Sequence, residues 1–320
     1  MQLLKRLKLS KKSRQQLVWL VLISCCLLNI LAYVSAYKLT HLSTSATLGC
    51  GLLQPIGARV PTTIGLKYTT QCIPVNRTQW LETWSIPVEP ATNSRGTIIL
   101  FPGNGGSKAK QLLAPAQVFH SWGYHTLLVD FRGLGGSSGN TTTLGIREAE
   151  DVALSVEYIR KTHLKSPLIL YGISMGTAAI LKAVADKNVR PDAIILELPF
   201  ARLTDALRSR FRAAFIPTFP LTELTVFWGG IQHGFNGFAH NPVDDAKQVE
   251  CPTLILHGKL DKWTTLPEID RIFENLHGAK QLSIFPNAGH DLLMSVDRDR
   301  WTQALQKFLN LDLGLKYRSS

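Results

Sequence analysis

The chain has 320 residues, 45% of them hydrophobic and 18% charged, which supplies a sizeable core and excludes a disordered chain. Its net charge of +12 is lopsided, because Lys5, Arg6, Lys8, Lys11, Lys12 and Arg14 carry half of it with no acid before residue 17. The remainder is a mild surface bias without a basic run that could track phosphates, so nucleic acid is excluded as a partner.

After the basic tail (1–16), residues 17–37 form an uncharged run of 21 residues. That is enough to cross a bilayer, which takes ~20. The basic flank predicts that residues 1–16 stay in the cytoplasm and that everything after Lys38 lies on the far side. An uncleaved membrane anchor is the expectation. Two alternatives stand: cleavage after Val34-Ser35-Ala36, giving a secreted or periplasmic product, and lipid attachment at Cys25, preceded by Leu22-Ile23-Ser24.

Residues 38–62 are rich in Ser, Thr and Gly and read as a tether. Cys50 and Cys72 are either a disulfide across this stretch or two separate thiols, and their spacing suits no zinc site. Cys251 opens an apolar run and reads as a buried thiol.

From residue 63 to about 315 the chain alternates, before a short tail (316–320). Apolar runs at 97–101, 125–131, 168–171, 193–198, 253–257 and 281–285 predict strands. Between them lie stretches of helical spacing, such as Ala149, Val152, Val156 and Ile159, or Trp301, Leu305, Phe308 and Leu309. Strand alternating with helix predicts a mostly parallel α/β sheet. About fifty residues, roughly 200–248, interrupt this rhythm and hold seven of the 13 Phe. Within them Leu203, Ala206, Leu207, Phe211 and Phe215 recur at helical spacing. We expect an amphipathic cap helix whose Phe211 and Phe215 roof an apolar acyl pocket, with the neighbouring arginines facing solvent or lipid head groups.

Functional groups of a parallel sheet gather at the carboxyl ends of its strands. The run 168–171 is followed by Gly172-Ile173-Ser174-Met175-Gly176 and then a helical pattern. A serine on so tight a strand-to-helix turn needs small neighbours on both sides, which marks Ser174 as a nucleophile. A hydroxyl needs a base, and the base needs an orienting acid. Among nine histidines only His290 lies in the loop after a late strand, and Asp261 occupies the corresponding loop before it. Glu197 is the alternative acid, placed too early along its strand and better suited to a structural contact. The glycine turn Phe101-Pro102-Gly103-Asn104-Gly105-Gly106 offers the Asn104 N–H, and the Met175 N–H follows the nucleophile; together they predict an oxyanion hole. No glycine loop completes a nucleotide fingerprint, and neither a cofactor nor a metal is expected.

These segments, with Asp130-Phe-Arg-Gly-Leu-Gly-Gly-Ser-Ser-Gly, Leu256-His-Gly-Lys-Leu-Asp261 and Ala288-Gly-His290, resemble the α/β-hydrolase superfamily, and within it the membrane-anchored serine hydrolases of the BEM46-like and YfhR-like group. The resemblance covers roughly residues 64–311. It implies an α/β-hydrolase fold with a cap, the triad Ser174, Asp261 and His290, and the oxyanion donors Asn104 and Met175. One departure is Pro102-Gly103, where the group usually has His-Gly. The expected activity is hydrolysis of carboxylic esters or thioesters with an apolar acyl group, on an ester or acyl-lipid substrate, without an obligate protein partner. Acyl transfer and peptide cleavage use the same triad. A non-catalytic binding protein on this fold is a third reading, which the complete triad disfavours.

Overall fold

The computed structural model describes residues 10–42, 50–51, 59–89, 94–162 and 167–311. Lys5, Arg6, Lys8, His163, most of the 38–62 tether and the 316–320 tail lie outside the described residues.

One helix, α1 (Lys11–Thr40), precedes an eight-stranded sheet. The strands are β1 (Thr69–Pro74), β2 (Trp80–Ile86), β3 (Thr97–Phe101), β4 (His125–Val129), β5 (Leu168–Ile173), β6 (Ala193–Glu197), β7 (Thr253–Gly258) and β8 (Lys280–Phe285). Their order is β1-β2-β4-β3-β5-β6-β7-β8, and all pairs are parallel except β1 with β2 and β2 with β4. The six parallel strands match the six apolar runs. Strands β3 to β7 are buried along their length, as expected of strands covered on both faces.

Helices α3 (Glu148–Lys161), α4 (Met175–Asp186) and α8 (Leu266–Asn275) cover one face, burying Val152, Val156, Ile180 and Ile269 against the sheet. Helices α2 (Leu113–Ser121) and α10 (Arg298–Leu311) cover the other with Phe119, Trp301 and Phe308. The cap consists of α5 (Leu203–Ala213), α6 (Leu221–His233) and the short α7 (Pro242–Asp245); α9 (Leu293–Val296) follows β8.

The hairpin β1–β2 was not foreseen. Edge strand β1 carries part-exposed Thr and Gln, whereas β2 lies inside the sheet and buries Glu82, which pairs with Lys108 at 2.8 Å. Cys50 and Cys72 form a disulfide that ties the chain before β1 to that edge. The Asp130 motif is architectural: the buried Asp130 carboxylate accepts from the Lys108 and Gly136 N–H groups and pairs with the Lys108 ammonium. Arg132 of the same motif meets Asp151 of α3 at 2.7 Å.

The tether begins later than residue 38. Helix α1 continues to Thr40, His41 bridges Thr141, and the Leu42 N–H donates to Asn140 O at 2.7 Å. Helix α1 therefore meets the globular part directly at its carboxyl end.

Candidate active site

Residues from three strand ends meet at one point. The turn from β5 into α4 holds Ser174 at φ 49°, ψ −107°, a conformation sterically costly for any residue with a Cβ. Two glycines make the turn possible: a Cβ on Gly172 would stand 2.7 Å from the Gly176 carbonyl carbon, and one on Gly176 would stand 2.7 Å from Phe101 O. The Ser174 N–H donates to Glu197 O at 2.8 Å, and Thr177 Oγ1 donates to Ser174 O at 2.6 Å, holding the bend from both sides.

Ser174 Oγ lies 3.0 Å from His290 Nε2, in the loop after β8. His290 Nδ1 lies 2.7 Å from Asp261 Oδ2, in the loop after β7. The other carboxylate oxygen, Oδ1, accepts from the Trp263 and Thr264 N–H groups at 2.7 and 3.1 Å. Burial pushes the Asp261 carboxyl up, but the His290 hydrogen bond and charge and the Trp263 N–H outweigh it and leave the pKa below the usual carboxylate value. An ionised Asp261 fixes the proton on Nδ1, so Nε2 is free to accept from the serine hydroxyl.

Glu197 is structural, as expected of the alternative acid. Its buried carboxylate accepts from Leu293 N–H at 2.9 Å, Tyr171 O–H at 2.6 Å and Trp301 Nε1–H at 2.9 Å. It thereby fixes the segment that follows His290. Desolvation raises its pKa despite these three donors.

The structure brings Asn104 to the rim of the same cleft and Met175 to the first position of α4. Neither backbone N–H donates to a protein group among the described residues. Pro102 precedes a turn that is held at Gly103. Gly103 N–H is held at 2.8 Å by Gln111 Oε1, and a Cβ on Gly103 would stand 3.4 Å from the Ser174 Cβ.

The cleft has a volume of about 230 Å³ and is walled by Ile173, Leu198, Gln111, Arg210, Trp263 and Leu292 beside Ser174 and His290. Phe211 and Phe215 do not line it, which corrects the expected aromatic roof. Phe211 is 7% exposed and is buried with Ala32, Leu207, Leu221 and Val226, so its face of α5 is covered by α1 and α6. Phe215 lies just beyond the end of α5, 96% exposed. Arg210 differs from Arg202, Arg208 and Arg212, the arginines expected on the outer side of the helix. Arg210 turns inward, its guanidinium 4.7 Å from the centre of the Trp263 ring, while one Nη donates to Ala206 O in its own helix. Gln111, Arg210 and Trp263 were not singled out from the sequence. Trp263 stood two residues from Asp261 and was the one with a positional signal.

The fold as a whole is shared with solved esterases. The Pyrococcus furiosus esterase Pf2001 superimposes with a TM-score of 0.66 at 20% identity, covering 82% of this chain and 98% of that one. A ferulic-acid-bound Est1E from Butyrivibrio proteoclasticus gives a TM-score of 0.60 at 16% identity, covering 76% and 99%. Residues 92–227 match the family model described as serine aminopeptidase, S33. The chain has the α/β-hydrolase fold. Among curated relatives, the uncharacterized protein YqkD of Bacillus subtilis is 29% identical over 196 residues, 60% of this chain and 64% of YqkD. The lysophosphatidylserine lipase ABHD12 of Xenopus tropicalis is 26% identical over 187 residues, 54% of this chain and 45% of that protein. The chain thus spans between about half and two thirds of the length of the curated relatives it matches.

Proposed function

We propose that this α/β-hydrolase is a membrane-anchored serine hydrolase that cleaves carboxylic esters or thioesters with an apolar acyl group. The observation that carries the reading is the continuous relay from Ser174 Oγ through His290 to Asp261 at 3.0 and 2.7 Å. Ser174 Oγ attacks the carbonyl carbon as its proton passes to His290 Nε2. The Asn104 and Met175 N–H groups receive the oxyanion, one such donor being worth roughly 2.7–4 kcal/mol in other enzymes. The tetrahedral intermediate collapses with the Nε2 proton going to the departing alkoxide or thiolate, leaving an acyl-serine. Water, deprotonated by His290, then releases the acid and restores Ser174.

The side chains beyond the relay support a lipid-like substrate. Ile173, Leu198 and Leu292 offer apolar wall, while the Arg210 guanidinium faces the same cleft with no ion-pair partner among the described residues. An ester joining an acyl chain to a polar, acidic head fits both, and the relative named as a lysophosphatidylserine lipase acts on such a molecule by its name.

For location, α1 supports an anchor and the Cys50–Cys72 disulfide supports an oxidising compartment for the globular part. With the basic residues cytoplasmic, the catalytic part stands outside.

The test is fluorophosphonate labelling of wild type and Ser174→Ala, followed by matched ester, thioester and peptide-amide substrates. Labelling and ester turnover that vanish together in Ser174→Ala are expected. Labelling that persists at the wild-type rate overturns the assignment, and turnover confined to amides replaces the esterase reading with a peptidase.

A further inference from the structure

The apolar run of α1 has 21 residues, and at about 1.5 Å per residue it matches the ~30 Å hydrocarbon layer with nothing to spare. Yet the outer part of that run is not free for lipid. Trp228 Nε1 donates to Asn29 Oδ1 at 3.1 Å, and the Trp228 ring meets Tyr33 edge-on. Gln232 Nε2 donates to Tyr33 O at 3.0 Å, and His233 Nε2 lies 2.7 Å from Thr40 Oγ1. The small residues Ala32 and Ala36 are buried in this contact, where Ala36 faces Gly229, the packing that small side chains permit between membrane helices.

If residues 29–37 of α1 lie within the hydrocarbon layer, the helix packed side by side with them lies at the same depth. The partners also advance together, Ala36 with Gly229 and Thr40 with His233, so α6 runs in the direction of α1. The amino end of α6, and the loop before it, therefore points back into the bilayer rather than out of it. That loop carries the most exposed aromatics of the globular part: Phe215 at 96% and Phe219 at 79%, with Phe227 and Ile231 exposed along α6. From residue 213 to residue 243 the one formal charge is Glu223, and it is paired with Arg208 at 2.8 Å. A stretch of 31 residues with one neutralised acid and outward-facing Phe and Ile has the chemistry of a surface in acyl chains.

We propose that the α5–α6 tip is a second membrane-embedded element, inserted beside α1 in the outer part of the bilayer, with Phe215, Ile216, Phe219, Phe227 and Ile231 in contact with lipid chains. The cleft entrance then stands at the lipid interface, because α5 gives Phe211 to the α1–α6 contact and Arg210 to the cleft. A substrate that resides in the membrane reaches Ser174 by lateral movement rather than through bulk water. The inference rests on the reading of α1 as a membrane span.

The test uses the full chain, with Cys25, Cys26 and Cys251 replaced by serine and the disulfide retained, in phosphatidylcholine vesicles containing phosphatidylglycerol. A nitroxide is attached in turn at Phe215→Cys, Phe219→Cys and Ile231→Cys, with Val21→Cys within α1 and Lys187→Cys on the globular surface as references. Collision with oxygen, which concentrates in hydrocarbon, is compared with collision with a water-soluble nickel chelate. Positions 215, 219 and 231 are expected to favour oxygen as position 21 does, and position 187 to favour nickel. Nickel access at 215 and 219 with position 21 protected overturns the proposal and leaves the anchor standing. Nickel access at position 21 as well removes the anchor reading and the proposal with it. Labels immobilised and shielded from both reagents place a second copy of the chain on this face, which also overturns it.

Discussion

Arg210 and Phe211 are consecutive on α5 and face opposite ways, the guanidinium stacking on Trp263 inside the Ser174 cleft and the phenyl ring buried in the cluster that includes Ala32 of α1. One turn of helix thus joins the candidate catalytic centre to the N-terminal segment. Helix α1 and the cap helices α5 and α6 share one buried apolar cluster.

Removing the Arg210 charge should alter selectivity more than turnover. With Arg210→Gln, kcat/KM for a lysophospholipid with an acidic head is expected to fall roughly tenfold or more, a charge-assisted hydrogen bond being worth ~1.5–3 kcal/mol. A monoacylglycerol of the same chain length should change little. Equal losses on the two substrates would assign Arg210 to shaping the cleft through Trp263 instead.

Asp261→Asn should lower kcat by about 10⁴-fold, the size seen when a triad histidine is left in the wrong tautomer. It should also change the acid limb of stability. Because the folded-state pKa of Asp261 is depressed, its ionised form adds stability that is fully present above the unfolded value of ~3.9 and is lost as pH falls through the lower folded value. Unfolding titrations between pH 5 and pH 2 (a window of roughly that range) should show a shallower acid decline in the variant than in wild type.

Glu197→Gln should do the reverse, costing stability and sparing chemistry. The amide would present an N–H₂ to at least one of the Tyr171, Trp301 and Leu293 donors, leaving a buried donor unpaired at ~1–3 kcal/mol. Denaturant melts should register that loss while kcat stays within severalfold of wild type. If Glu197→Gln proves the more severe catalytic lesion and Asp261→Asn the milder, the two carboxylates have been assigned the wrong way round.

At the α1–α6 contact a Cβ on Gly229 would meet the Ala36 Cβ at 3.8 Å, an ordinary contact distance. Gly229→Ala should therefore be neutral or slightly stabilising, since alanine is favoured over glycine within a helix by ~0.5–1 kcal/mol. Gly229→Leu forces the helices apart and should cost ~1–3 kcal/mol. Melting of both variants in vesicles separates these outcomes, and an unperturbed Gly229→Leu would mean that α1 and α6 are not in contact in the membrane.

The six parallel strands and the relay were legible in the chain for one physical reason. A strand covered on both faces must be a short continuous apolar run, as in Thr97–Phe101 or Thr253–His257, and the residues just past each run are committed to one edge of the sheet. Local order alone therefore placed Ser174, Asp261 and His290 together. The hairpin at Thr69–Pro74 and Trp80–Ile86 escaped because the edge strand tolerates polar residues and the inner one buries Glu82 in an ion pair with Lys108, which breaks its apolar run. Its mixed alternation, separated by Asn76-Arg-Thr-Gln79, was the available signal. The periodicity of α5 likewise announced an amphipathic helix but not what would cover its apolar face. That was decided by α1, which lies more than 160 residues earlier in the chain and reaches Phe211 only in the folded molecule. Periodicity is a property of neighbours along a helix, whereas the partner of a face is fixed by how the whole chain packs. So the sequence by itself determined the sheet, the serine turn and the order of the relay, and tertiary packing alone turned Phe211 toward the cluster shared with the N-terminal helix and Arg210 toward the Ser174 cleft.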